Sequence, residues 1–169
     1  FSAGMEGLWT RGLAETIRDF VRGGRYILGI CLGMQMLMTQ SEENGIHGGL
    51  DLIKGNVKRF TPPQERGIFK IPHYGWSAVY MPDTDNLHGK NPWQHTILDG
   101  IKNDAYFYFV HSYYVVPDNA AHGIGVTRYG HDTFASVVRQ ENITACQFHP
   151  ELSGETGIRL LRNFIAWKD

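Results

Sequence analysis

The chain has 169 residues, 42% hydrophobic and 20% charged, the make-up of a single soluble globular domain spanning residues 1–169. Sixteen Lys and Arg stand against 17 Asp and Glu for a net charge of −1, which argues against a polyanion binder, and no apolar run is long enough to cross a bilayer. Two cysteines, Cys31 and Cys146, are too few for a disulfide framework, and with no basic-then-apolar leader in view they point to a reducing, cytoplasmic setting.

Taken in chain order, Leu13, Ile17, Phe20 and Val21 share one face of a helix predicted over residues 5–22, which Gly23-Gly24 stops. Residues 25–30 form a short, mostly apolar run of the kind that makes a buried strand. Met34, Leu37 and Met38 predict a second helix over 33–40, and the order helix, strand, helix suggests an α/β fold around a parallel sheet. Residues 50–60, 67–80 and 104–148 are rich in β-branched and aromatic residues, with strands predicted at 105–110 and 123–127. A strand pair joins 135–138 to 143–148 across Gln140-Glu141-Asn142, while the Pro, Asp, Asn and Gly content of 82–95 reads as a surface loop. A last helix is predicted over 157–167, with Ile158, Leu161 and Ile165 on its inner face.

Gly29-Ile30-Cys31-Leu32-Gly33 falls where the first strand gives way to a helix. A nucleophile elbow has this context: flanking glycines allow a sharp strand-to-helix turn that lifts the central side chain into solvent. The helix N-terminus favours an anion at Cys31, and the Leu32 N–H is placed to face the oxyanion of a tetrahedral intermediate. The pentapeptide alone is equally compatible with a small buried hydrophobe at a strand end. Gln147-Phe148-His149-Pro150-Glu151 tips the balance, because it puts His149 at another strand end, stiffened by Pro150, with Glu151 in reach to fix the imidazole tautomer. The reading is a Cys31–His149–Glu151 triad. Cys146 lacks a glycine elbow and reads as core. The eight histidines show no metal-ligand spacing, so neither a metal nor a cofactor is expected.

At these residues the sequence resembles the class I glutamine amidotransferases, through Gly29-Ile-Cys-Leu-Gly-Met-Gln35 and Gln147-Phe-His-Pro-Glu151. Ser41-Glu42-Glu43, Gly48-Gly-Leu50, Lys70-Ile-Pro-His-Tyr-Gly-Trp76, Tyr108-Phe-Val-His-Ser-Tyr113 and the stretch from Gly154 to Phe164 are similar to the glutaminase subunits of imidazole glycerol phosphate synthases. The resemblance implies a three-layer, flavodoxin-like open sheet with helices on both faces. It also implies hydrolysis of L-glutamine through a glutamyl thioester, with ammonia passed to a (β/α)8-barrel cyclase subunit in histidine biosynthesis. Gln35, Glu43, Ser112 and Tyr113 would hold the glutamine's α-amino and α-carboxylate groups, and Pro72, His73, Trp76 and Tyr108 would meet the partner subunit. Neither a nucleic acid nor a membrane is implied as a partner.

Three features depart from the family pattern. Its Pro-Gly-x-Gly oxyanion loop would precede Phe1, so the chain is expected to lack that loop and the first strand. Leu152 and Ser77 stand where histidine-pathway members usually carry Lys and Asn. The departures bear on the partner and leave open a paralogous glutaminase subunit feeding a sugar-modifying enzyme of surface-polysaccharide synthesis. Apart from them, the residues also admit a cysteine hydrolase or peptidase that uses the same elbow on another substrate, and a non-catalytic α/β binding module.

Overall fold

The computed structural model describes residues 1–63, 69–83 and 91–167. The predicted first helix is two helices, α1 (Ser2–Thr10) and α2 (Leu13–Arg22), broken where Gly12 takes a left-handed φ of 67°. Glycine adopts that conformation without steric cost. The break resets the helical phase. Ala14, Ile17 and Val21, at i, i+3 and i+7, turn to the core, whereas Leu13 (42%) and Phe20 (39%) remain exposed.

Strand β1 (Ile27–Ile30) leads into α3 (Leu32–Met36), which ends well short of the predicted residue 40. The carbonyls that would have continued it are taken by another segment: Leu50 N–H donates to Met36, Leu52 and Ile53 to Leu37, and Asp51 to Met38. Leu37 and Met38 are buried in the same core as Leu50 and Ile53, although they lie beyond the end of the helix. Short strands β2 (Gln40–Ser41) and β3 (His47–Gly48) follow, then β4 (Gly55–Arg59), β5 (His73–Val79), β6 (Ala105–His111) and β7 (Tyr113–Pro117).

Strands β8 (Gly123–Tyr129), β9 (Asp132–Gln140) and β10 (Ile143–Cys146) complete the set, with the expected turn joining β9 to β10. Of the predicted loop at 82–95, residues 84–90 lie outside the described residues. Trp93 within it is fully buried, its indole N–H donating to the Ile124 carbonyl at 2.6 Å, so this part of the segment is core rather than surface.

The eight-stranded sheet runs β1-β10-β9-β7-β4-β2-β3, with β8 on the other edge of β9. Its β1–β10 and β2–β4 pairs are parallel and the others antiparallel, so it is mixed rather than purely parallel. Helices cover both faces. Val138 and Ala145 point into a core shared with α1, α2 and α3, while Val137 and Cys146 point into a second core. That second core contains Leu160 of the last helix, α4 (Gly154–Ala166), and Phe107 and Phe109 of a separate β5–β6 sheet.

The buried stripe of α4 is Gly157, Leu160, Leu161 and Phe164; Ile158 (40%) and Ile165 (78%), expected inside, face out. A Cβ at Gly157 would collide with the Pro150 carbonyl, so glycine there lets the helix lie flush on the turn that carries His149. Among the described residues no helix is long and apolar enough to cross a membrane.

Candidate active site

Parallel pairing of β1 with β10 sets Ile30 beside Cys146, so both chains leave the sheet at the same end. Side chains just beyond the carboxyl ends of such strands face the crevice where ligands bind in open α/β sheets. Cys31 extends the pairing by one bond, its N–H donating to the Cys146 carbonyl at 2.8 Å. Its own carbonyl accepts from Gln35 N–H at 3.2 Å and starts α3.

The elbow's strain falls on Cys31 itself, at φ 49° and ψ −107°. A non-glycine residue held there costs on the order of 1–3 kcal/mol and persists only when its surroundings enforce it. Gly29 makes the turn possible by close approach: a Cβ would stand 2.9 Å from Leu37 Cδ1 and 3.0 Å from Met34 N. Gly33 faces open space and packs against nothing.

His149 sits beyond β10 in extended geometry (φ −101°, ψ 95°), as the following proline demands. Its N–H donates to the Tyr108 carbonyl at 2.9 Å. Nδ1 lies 2.7 Å from Glu151 Oε1. The carboxylate accepts, so Nδ1 carries the proton and Nε2 is left as the proton-transfer atom. Ser153, which the sequence reading passed over, braces this turn: its hydroxyl donates to the His149 carbonyl (2.6 Å) and accepts from Tyr108 N–H (3.0 Å). A serine opening a helix reads as an N-cap, yet this one makes no cap bond.

The sulfur's surroundings add a second residue missed in the sequence. Gln147, fully buried, donates Nε2–H to Cys31 Sγ at 3.7 Å, and Sγ lies 3.9 Å from the Val110 carbonyl. Among the described residues no hydrogen bond joins Sγ to His149. Burial pushes the thiol above its ordinary range; the Leu32 and Gln147 N–H groups pull it back, and the Glu151 charge raises it further. The expected activation at the start of α3 is thus outweighed by desolvation. Cys146 is fully buried and its thiol is raised well above the usual range by that burial, which makes it inert core.

A cavity of about 260 Å3 opens beside the sulfur. Cys31, Leu32, Gln35, Glu43, Ser112 and Tyr113 line it, with Phe1, Val110 and His111. Gln35 is turned inward, and its Nε2 donates to the Tyr113 carbonyl (2.9 Å) and to Gln147 Oε1 (3.1 Å). Both its amide protons are committed, so only its Oε1 remains, an acceptor suited to an ammonium and not to a carboxylate.

The outer face of the β5–β6 sheet shows Tyr74 (70%), Trp76 (53%) and Tyr106 (59%) around Tyr108, with Tyr74 and Trp76 rings each within 6 Å of the Tyr108 ring. Pro72 is exposed at the start of the strand. His73, expected at the partner interface, is buried on the opposite face of the strand and cannot touch a partner directly. The alternation of strand side chains puts residues 74 and 76 out and 73 in. Leu152 is exposed one residue past Glu151. Among the described residues no three His, Cys, Asp or Glu side chains are grouped to hold a metal ion.

A strand-end cysteine in a strained elbow, a His–Glu pair at the next strand end and an adjoining cavity are brought together at one end of the sheet. The family model for class I glutamine amidotransferases matches residues 4–167. The chain is 41% identical to the imidazole glycerol phosphate synthase subunit HisH 1 of Legionella pneumophila, over 98% of this chain and 76% of that one. It is 39% identical to the HisH subunit of Sulfurimonas denitrificans over 100% and 76%. Against the HisH subunit of Syntrophotalea carbinolica the figures are 43% over 95% and 73%.

Among solved structures, a glutamine amidotransferase superposes with a TM-score of 0.59 at 19% identity, covering 95% of this chain and 70% of that one. One from Thermotoga maritima gives 0.54 at 16%, covering 93% and 54%. These two establish likeness of fold. The chain spans about three-quarters of the length of its curated relatives and between 54% and 70% of these solved chains. It belongs to the class I glutamine amidotransferases, a family of glutamine-using enzymes.

Proposed function

We propose that the protein is the glutaminase subunit of an imidazole glycerol phosphate synthase, hydrolysing L-glutamine to glutamate and ammonia with Cys31, His149 and Glu151. The observation that carries the reading is the strained Cys31 elbow joined, through the β1–β10 pairing, to the turn on which Glu151 fixes His149. Identity of about 40% to HisH subunits supports the assignment to that synthase.

Glutamine enters the cavity with its ammonium toward Glu43 and the free Oε1 of Gln35. His149 Nε2 accepts the thiol proton as Cys31 Sγ attacks the γ-carbonyl carbon, and the oxyanion is held by the Leu32 N–H. The tetrahedral intermediate collapses by breaking the C–N bond. His149 returns the proton to the leaving nitrogen, which departs as ammonia and leaves a γ-glutamyl thioester. His149 then takes a proton from water as its oxygen attacks the thioester carbonyl; the C–S bond breaks, glutamate leaves and the thiol is reprotonated. A thiol raised by burial suits a resting nucleophile that loses its proton to the imidazole in step with attack.

The exposed aromatic face of β5–β6 is the docking surface of the ammonia-consuming cyclase subunit, a (β/α)8 barrel, with Pro72, Trp76 and Tyr108 as contacts. Tyr and Trp anchor interfaces disproportionately, and His149 N–H hangs on the Tyr108 carbonyl, which ties that face to the site. In the full protein assayed with its partner, Cys31→Ala is expected to lower glutamine hydrolysis by about 10,000-fold or more. Activity within tenfold of wild type would overturn the mechanism.

A further inference from the structure

The hydrolytic mechanism makes no use of two buried histidines, His111 in the cavity wall and His73 behind it. His111 Nδ1 lies 2.8 Å from the Tyr113 carbonyl, His73 Nδ1 lies 2.9 Å from His111 Nε2, and Ser77 Oγ lies 2.8 Å from His73 Nε2. A carbonyl only accepts, so His111 Nδ1 carries a proton. In the neutral ring Nε2 is then bare, which makes His73 Nδ1 the donor and leaves His73 Nε2 to accept from the Ser77 hydroxyl. One carbonyl thus fixes every proton in the row.

Both rings are neutral. Burial lowers His73 to about 4. Burial also lowers His111, to about 3, against the pull of its Tyr113 bond and with help from the charges of His73 and His149. His73 is clamped between Phe109 and Tyr129, with ring centroids 4.7 and 3.9 Å away.

The Tyr113 carbonyl that ends this row also accepts from Gln35 Nε2, whose other proton goes to Gln147 Oε1. An amide that accepts through Oε1 on that side turns its Nε2–H the other way, here toward Cys31 Sγ. Two rows of hydrogen bonds therefore meet on one acceptor, the Tyr113 carbonyl: one starts at Ser77 on the second sheet, and the other starts at Gln35 and ends at the sulfur. Burying two imidazoles with no opposite charge is costly compared with apolar packing, and what the pair supplies is a fixed place for that carbonyl.

Taking Cys31 as the nucleophile, we infer that His111, held by His73 and Ser77, is a positioning residue: it anchors the Tyr113 carbonyl on which Gln35 also hangs, and so keeps the Gln35–Gln147 amide pair set with an N–H toward the Cys31 sulfur. Gln147 is the last link of the second row and touches the reacting atom. Its N–H favours the thiolate and holds Sγ in the orientation that faces the cavity.

The test follows alkylation of Cys31 by iodoacetamide against pH, read from the mass of the Cys31 peptide, in the full protein and in His111→Phe, His111→Asn and Ser77→Ala. His111→Phe cuts the row and is expected to slow alkylation at neutral pH about fivefold, the worth of one hydrogen bond, and to move the midpoint to higher pH. His111→Asn, whose amide N–H can stand in for Nδ1, recovers most of the wild-type rate. Ser77→Ala, at a half-exposed position, gives a smaller shift in the same direction.

An unchanged profile in His111→Phe, or equal slowing in the Phe and Asn variants, would overturn the inference. If His111→Phe does not fold, an unchanged profile in Ser77→Ala overturns it instead. Because alkylation needs no glutamine, failure here leaves the glutaminase reading intact, and loss of that reading leaves this result standing.

Discussion

The Cys31 turn and the β5–β6 hairpin meet at the same cavity, yet they treat polar groups in opposite ways. At the turn, polar side chains emerge from adjacent parallel strand ends: Cys31 and His149 are partly exposed, Glu151 more so, and the main chain supplies the strain. In the hairpin the arrangement is inverted. Aromatic rings face outward, and the polar residues His73 and His111 are sealed beneath them with each hydrogen bond accounted for. Groups that exchange protons with substrate must be reachable, whereas groups that only orient others work best dry, because a low-dielectric setting strengthens a satisfied network.

Glu151→Gln tests the turn most severely. A glutamine can donate to His149 Nδ1 and favour the wrong tautomer, so glutamine hydrolysis should fall between about 100- and 10,000-fold with Cys31 alkylation by iodoacetamide largely intact. Steady-state kinetics within threefold of wild type would mean that the 2.7 Å contact does not orient the imidazole.

Trp76→Ala addresses the hairpin's outer face. It should weaken binding of the cyclase subunit by about 2 kcal/mol or more, roughly 30-fold, with little change in thermal melting because the side chain is 53% exposed. Calorimetric titration showing unchanged affinity would move the docking face elsewhere.

The hairpin's inner face is probed by acid. Both folded-state histidine values, about 4 and about 3, lie below the ordinary 6.5, so the unfolded chain binds protons first as pH falls. The pair's contribution is fully present above pH 6.5 and is lost progressively from there down through about 4 and 3. Urea denaturation between pH 7 and 4 should show this decline, and His111→Asn, which removes one of the two protons taken up, should flatten it. Equal slopes in both proteins would contradict a buried neutral pair.

The smallest effect is expected at Cys146. Its Sγ–H is directed at the Phe148 carbonyl at 3.5 Å inside the second core, so Cys146→Ala should cost about 1 kcal/mol of stability and leave hydrolysis unchanged. Loss of activity there would make it a rival nucleophile.

The turn was legible in the sequence because its requirements are local. Gly29, Cys31, His149 and Glu151 lie within two short motifs, and their meeting at adjacent strand ends follows from residue type and position. β-branched and aromatic composition around Gln140-Glu141-Asn142 also reported the β9–β10 pair. What escaped depended on distant contacts. Helical spacing gave α2 and α4 a plausible inner face, but the Gly12 break and the seating of Gly157 on Pro150 rotated both, leaving Leu13, Phe20, Ile158 and Ile165 outside. The helix predicted to residue 40 stopped early because residues 50–53 captured its carbonyls.

Gln147 and Ser153 were invisible as functional residues for the same reason, since their partners Gln35, Cys31 and Tyr108 are far off along the chain. His73 was placed at the interface by family resemblance, which assigns the whole Pro72–Trp76 segment and does not separate the two faces of the strand. Its burial is decided by strand register alone.

Attack on glutamine by the Cys31 sulfur is the central proposal, and covalent capture tests it most directly. Treatment of the full protein with a glutamine-derived diazo-ketone should add one label to the Cys31 peptide, none to the Cys146 peptide, and free glutamine should block the reaction. Labelling elsewhere, or labelling of Cys31 indifferent to glutamine, would contradict the central claim.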